Sequence, residues 1–292
     1  MRLAAATLAA AFAAAACAPV DALNALTPNE GVRRVAELRY AEGPRGRLDL
    51  YLPPGEVAAD APLLVFFHGG GWRSGAKEDY RFLGTAFAAR GFLVAIPNYR
   101  LVPEVRWPAF AEDGAAAVAA LPRLLAGQGL GASRPLVLAG HSAGAHTAAM
   151  LALDPRWLGA HGLSPCRDVA ALLGLAGPYA IFPTGARMVV AAFGPAPQPA
   201  EVSPLAQVSA AAPPAVLIAG ASDTLVSPRN SEALAEALAR AGRPAALHLL
   251  PGVGHIDLIA AVAAPLRHTA PTLEVAVSAL RAALAATPRA CA

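Results

Sequence analysis

The stretch Pro135-Leu136-Val137-Leu138-Ala139-Gly140-His141-Ser142-Ala143-Gly144 decides how the rest of the chain is read. Leu136 to Ala139 is a short apolar run suited to a buried strand, and it leads straight into G-x-S-x-G. A turn of this kind between strand and helix holds a serine in a strained conformation with its Oγ projecting, and tolerates only small neighbours. Gly140 and Gly144 supply them. An ordinary glycine-rich turn has the same composition. Ser142 is therefore a nucleophile only if the chain also provides a base, an acid and an oxyanion site.

Working outward, Pro62 to Phe67, Phe92 to Ile96, Ala170 to Leu175 and Ala215 to Ala219 are near-continuous apolar runs, as in strands covered on both faces, and Ala246 to Leu250 adds another strand. Val32 to Tyr40 and Arg47 to Leu52 flank a turn at Glu42 to Gly46. The alternation of Leu48, Leu50 and Leu52 with Asp49 and Tyr51 predicts a half-exposed antiparallel pair at the sheet edge. Helical patterns fill Tyr80 to Arg90, Pro108 to Leu125, Ala143 to Leu153, Pro228 to Ala241 and Pro271 to Ala286. This alternation implies right-handed crossovers and a mostly parallel eight-stranded α/β sheet with helices on both faces. Ligands in such sheets bind beyond the carboxyl ends of the strands. Residues 177–214 break the rhythm with prolines at 178, 183, 195, 197, 199 and 204 around a helical stretch, Ala186 to Phe193. We read them as a small cap insertion over the site.

At the end of the Leu63 to Phe67 run stands His68-Gly69-Gly70-Gly71-Trp72, whose glycines leave backbone N–H groups open to a developing oxyanion. Gly69, Gly70 and Ala143 are the expected donors. Asp223 lies just past the Ala215 to Ala219 strand and is the candidate acid. Asp168 precedes its strand, at the wrong edge, and Asp113 suits a helix start. His255, in the glycine-rich loop Pro251 to His255, is the candidate base. His68 and His141 fit loop-ordering roles, and no cysteine and histidine pattern points to a metal or other cofactor. The order Ser142, Asp223, His255 matches the triad order of hydrolases with this turn.

Lys and Arg exceed Asp and Glu by 23 − 20 = +3 in 292 residues, and the arginines are scattered, which argues against a nucleic-acid partner. The mean hydropathy of +0.46 reflects alanine-rich helices and the N-terminus. Arg2 followed by a mostly apolar run to Ala16 reads as a signal peptide over 1–16, too short to span a bilayer. Ala14-Ala15-Ala16-Cys17 resembles a bacterial lipoprotein cleavage box, with Cys17 the lipidation site; cleavage after a small residue is the alternative. Residues 17–31 then form a lipid-tethered or flexible linker, 32–287 one catalytic domain, and the protein is exported, periplasmic or membrane-anchored through that lipid only. Cys166 and Cys291 are left either to pair or to remain free thiols.

His68 to Trp72, Asn98-Tyr99-Arg100-Leu101 with Pro103-Glu104, Gly140 to Gly144, Asp223 and His255 together resemble the α/β-hydrolase superfamily. Within it the chain is similar to hormone-sensitive-lipase-like carboxylesterases, nearest the bacterial feruloyl or acetyl-xylan esterase-like branch that borders the kynurenine formamidases. It departs from the lipase-like enzymes in having His141, not Asp, before the serine, and only a short N-terminal segment. The resemblance implies a serine carboxylesterase for small-molecule acyl or aryl esters, working through an acyl-enzyme. Trp72, Tyr99, Tyr179, Phe182 and Phe193 are candidates for the substrate pocket or, equally, the core. An arylformamidase would use the same triad. A peptidase of this fold usually carries a large gating domain, and a non-catalytic tethered binding module typically loses a triad residue or the glycines.

Overall fold

Eight strands form at the apolar runs: β1 Arg33–Arg39, β2 Arg47–Leu52, β3 Leu63–Phe67, β4 Leu93–Pro97, β5 Leu136–His141, β6 Val169–Leu175, β7 Ala215–Gly220 and β8 Ala245–Leu250. This computed structural model describes residues 19–131, 133–181, 186–195, 198–243 and 245–285. The strands join one sheet in the order β1-β2-β4-β3-β5-β6-β7-β8. β2 runs antiparallel to β1 and β4, and every pairing from β4 across to β8 is parallel. Phe67 pairs with Gly140 and Gly140 with Gly174, so β3, β5 and β6 end level at one edge.

The helices are α1 (19–26), α2 Arg81–Ala88, α3 Ala109–Ala126, α4 Ala143–Leu153, α5 Pro155–Gly159, α6 Pro165–Asp168, α7 Arg187–Phe193, α8 Pro199–Val202, α9 Arg229–Arg240, α10 His255–Ala260 and α11 Thr272–Ala285. Successive strand residues point to opposite faces. Two cores follow. Leu63, Val65 and Phe67 of β3 pack in the layer of α3, α4 and α9, whereas Leu64 and Phe66 pack in that of α2, α10 and α11. All eleven residues of α4 are buried, as expected of a helix that is apolar on every side.

Two expectations are corrected. β2 is not half-exposed: Asp49 and Tyr51 are as buried as the leucines, and the exposure falls on β1. The alternation marks a buried charge cluster instead of a wet face. Arg34 Nε donates to Asp49 Oδ2 at 2.9 Å, Lys77 Nζ lies 3.1 Å from Asp49 Oδ1, and a bulge in β1 turns the Glu37 N–H onto the same oxygen at 3.0 Å. Lys77, almost fully buried, also pairs with Glu37 and Glu78. The described part of the 17–31 linker is likewise no free tether, because α1 is docked. Asn24 Nδ2 donates to the Glu78 carbonyl and its Oδ1 accepts from Phe82 N–H, both at 2.9 Å. Between β6 and β7 the described residues form α7, α8 and a 3-10 turn at Pro204–Gln207.

Removing one partner from a buried ion cluster leaves an uncompensated charge. Asp49→Asn should therefore cost about 3–5 kcal/mol in urea unfolding, whereas Glu274→Gln, whose partner Arg90 lies at the surface, should cost less than about 1 kcal/mol. Equal losses would refute the buried-cluster reading.

Candidate active site

Ser142 follows β5 with φ +54° and ψ −123°, a strained conformation for a side-chain-bearing residue. Its N–H donates to the Leu175 carbonyl at the end of β6 at 2.9 Å. The glycines are there for space. A Cβ on Gly140 would lie 2.3 Å from the Gly144 backbone, and one on Gly144 would lie 2.0 Å from the Phe67 carbonyl oxygen. The first turn of α4 is thus pressed against the end of β3, beside the loop that begins at His68.

That loop has three consecutive residues with positive φ: Gly70 at +115°, Gly71 at +60° and Trp72 at +58°. Side chains around it hold its shape. Tyr99 Oη donates to the His68 carbonyl at 2.7 Å and its ring stacks on His68 at 4.3 Å. Arg45 donates to the carbonyls of Gly75 at 2.7 Å and Tyr99 at 2.5 Å, and to His68 Nε2 at 3.3 Å. His68 Nδ1 then donates to Gly69 O at 2.8 Å. Gly69 N–H donates to the Tyr80 hydroxyl at 3.0 Å. This last contact alters the expected donor set: the Gly69 N–H is already engaged, while no acceptor among the described residues takes the N–H of Gly70, Gly71 or Ala143. Gly71, not among the expected donors, is open where Gly69 is not, a difference made by Tyr80, eleven positions beyond Gly69.

His255 opens α10, beyond β8, and its Nδ1–H donates to Asp223 Oδ2 at 2.7 Å, with both side chains buried. Asp223 Oδ1 accepts from the N–H groups of Leu225 and Val226 at 2.9 and 2.8 Å. The imidazole is fixed in the tautomer that leaves Nε2 without a proton. A Cβ on Gly220 would meet the Val253 oxygen at 2.2 Å, so the end of β7 is pressed against the loop that carries His255. Ser142, Asp223 and His255 therefore follow β5, β7 and β8 at the same sheet edge. Asp113 and Asp168, set aside from the sequence, pair with Arg100 and Arg167.

The expected pocket residues divide. Trp72 and Phe193 meet edge to face at 4.9 Å between the loop and α7. Tyr99 is a support of His68, and Tyr179 is a core pin: a Cβ on Gly174 would lie 1.9 Å from its hydroxyl, and its carbonyl accepts from Leu205 N–H. Phe182 lies outside the described residues, as do Cys17 and Cys291; Cys166 is disulfide-bonded. His146, one turn into α4, carries no motif in the sequence; its Nε2 donates to the Val202 carbonyl of α8 at 2.7 Å, and Trp72, Trp107 and Phe193 surround it. A cavity of about 830 Å³ lies elsewhere, between α11 and the starts of β7 and β8, and contains none of these groups. Among the described residues no cluster of metal-ligating side chains occurs and no helix is long and apolar enough to cross a membrane.

Two family patterns match the chain: BD-FAE over residues 48–161 and the prolyl oligopeptidase family over residues 111–264, more than half of the sequence. Esterase LipC of Mycobacterium tuberculosis is 29% identical over 75% of this chain and 59% of its own length. A kynurenine formamidase of Salmo salar is 31% identical over 40% of this chain and 38% of its own. A thermophilic esterase of Thermogutta terrifontis, solved with propionate bound, superposes with a TM-score of 0.71 at 25% identity, covering 90% of this chain and 98% of that one. The chain spans less than two thirds of the length of the curated relatives it matches.

Three buried imidazoles surround the site. Burial lowers His68 and His146 to about 4, and burial together with the neighbouring His255 lowers His141 to about 3. In the unfolded chain each returns to about 6.5. Below that pH the unfolded state binds protons that the fold refuses, so stability is complete above about pH 7 and falls as pH drops from 6.5 towards 4. His146→Gln, which keeps a donor for Val202, should make this decline in denaturation midpoint shallower. An unaltered slope would show that His146 takes up its proton in the fold.

Proposed function

The chain belongs to the prolyl oligopeptidase family within the α/β-hydrolase superfamily, and from that premise we propose that it is a serine esterase acting on short-chain acyl or aryl esters. The observation that carries the reading is the buried 2.7 Å pair of His255 and Asp223 at the sheet edge that also bears the strained Ser142. His255 Nε2 takes the Ser142 proton as Oγ attacks the ester carbonyl. Asp223, held by two backbone donors, stabilises the imidazolium. The N–H groups of Gly70, Gly71 and Ala143 receive the negative oxygen. Collapse returns the proton to the leaving alcohol, and water repeats the cycle on the acyl-enzyme.

The similarity to a kynurenine formamidase supports a second reading, an N-formyl aryl amide as substrate of the same three residues. A panel of acyl esters of graded length, with acetyl-sugar, feruloyl and formyl-aryl compounds, separates the two. We expect the esters to have the higher kcat/KM; a formyl amide that outranks every ester would assign the amidase. Ser142→Ala should lower turnover by on the order of 10⁴-fold and abolish fluorophosphonate labelling without loss of fold. Retained turnover would exclude Ser142 as nucleophile.

Export to an oxidising compartment, with Cys17 lipidated, completes the proposal. It is supported by the Arg2 to Cys17 pattern and by the disulfide at Cys166, since disulfides persist in such compartments. The mass of the N-terminal peptide of the secreted protein tests it: a diacylglyceryl addition on Cys17 is expected, and an unmodified Cys17 would exclude the anchor.

A further inference from the structure

Met188, in the first turn of cap helix α7, is 41% exposed. Its inner side faces the glycine loop. A Cβ built on Gly71 would lie 2.6 Å from Met188 Sδ and 3.1 Å from its Cε, so the thioether fills the space that a side chain at position 71 would take. The Met188 side chain therefore borders solvent, and its sulfur lies against a proposed oxyanion donor. Among the described residues the other sulfur groups differ: Met150 is fully buried in α4 and Cys166 is already in a disulfide.

We propose that Met188 is an oxidation site through which peroxide switches off the oxyanion loop, an inference that rests on the esterase reading above. The thioether sulfur attacks one peroxide oxygen, the O–O bond breaks, and the second oxygen leaves as water. The sulfur is oxidised by two electrons to the sulfoxide and the peroxide is reduced by two. The product replaces an apolar, flexible group with a polar one that demands a hydrogen-bond donor. The backbone that the thioether packs against is that of Gly71, whose N–H, like that of Gly70, has no acceptor among the described residues. A sulfoxide oxygen that accepts from them occupies the position of the substrate oxyanion, and one that turns away pushes the loop off its geometry. Either result removes oxyanion stabilisation, which is worth roughly 10²–10³-fold in turnover per donor. Sulfoxide reduction reverses the change.

The test uses the full chain treated with hydrogen peroxide, read by peptide mass, by esterase rate relative to each protein's own untreated rate, and by the fluorescence of the tryptophans, among them Trp72 in the loop. We expect one added oxygen on the Met188 peptide, a rate lowered by on the order of 10²-fold, a fluorescence change, and recovery of both with methionine sulfoxide reductase. Met188→Leu should keep its own rate and spectrum within twofold under the same treatment. Full sulfoxide formation at Met188 with rate and fluorescence unchanged, no oxidation at Met188, or equal losses in Met188→Leu would each overturn the proposal. If the untreated protein hydrolyses no ester, the esterase reading fails, and the fluorescence comparison still decides whether oxidation at Met188 moves the loop.

Discussion

Lack of space at the end of β5 governs the site. The positive φ of Ser142 costs of order 1–3 kcal/mol and persists because its surroundings leave no alternative: β3 presses on Gly144, the start of α4 presses on Gly140, and Leu175 of β6 takes the Ser142 N–H. A side chain at either glycine would collide with backbone, not with a movable side chain. The same crowding brings the first free N–H of α4 beside the loop after β3, so the steric constraint that projects Oγ also gathers the donors of the proposed oxyanion site.

The donors themselves are held by polar side chains that never need to meet substrate. Arg45, from the β1–β2 turn, bridges the carbonyls of Gly75 and Tyr99, and Tyr80 engages Gly69 so that the next glycines stay open. Asn98 Oδ1 accepts from Lys77 N–H at 2.7 Å and Tyr40 Oη donates to the Asn98 carbonyl, which ties the loop's far end to the ion cluster under β2. The outer strands, remote from the chemistry in sequence, are therefore part of its support.

The strand count, the parallel order and the three residues after β5, β7 and β8 were legible because strand periodicity and motif order are local or one-dimensional signals. What the sequence hid was three-dimensional. Whether Gly69 or Gly71 offers its N–H depends on a phenol that arrives from the following 3-10 turn. Tyr99 and Tyr179 look like pocket aromatics until their hydroxyl and ring contacts are seen to face inward. Asp49 follows the alternation of a solvent-facing residue, yet Lys77 meets it in the interior. His146 carries no motif at all, and only its contact with the cap distinguishes it.

The pairing of β5 with β3 and β6 has a consequence for biosynthesis. β3 and β5 lie about seventy residues apart in sequence, and β7 and β8 follow later still, so the sheet rests on long-range contacts, which are slow to form. A strained serine cannot be held by a partial assembly. A half-folded chain therefore lacks the strained serine on which the proposed hydrolysis depends.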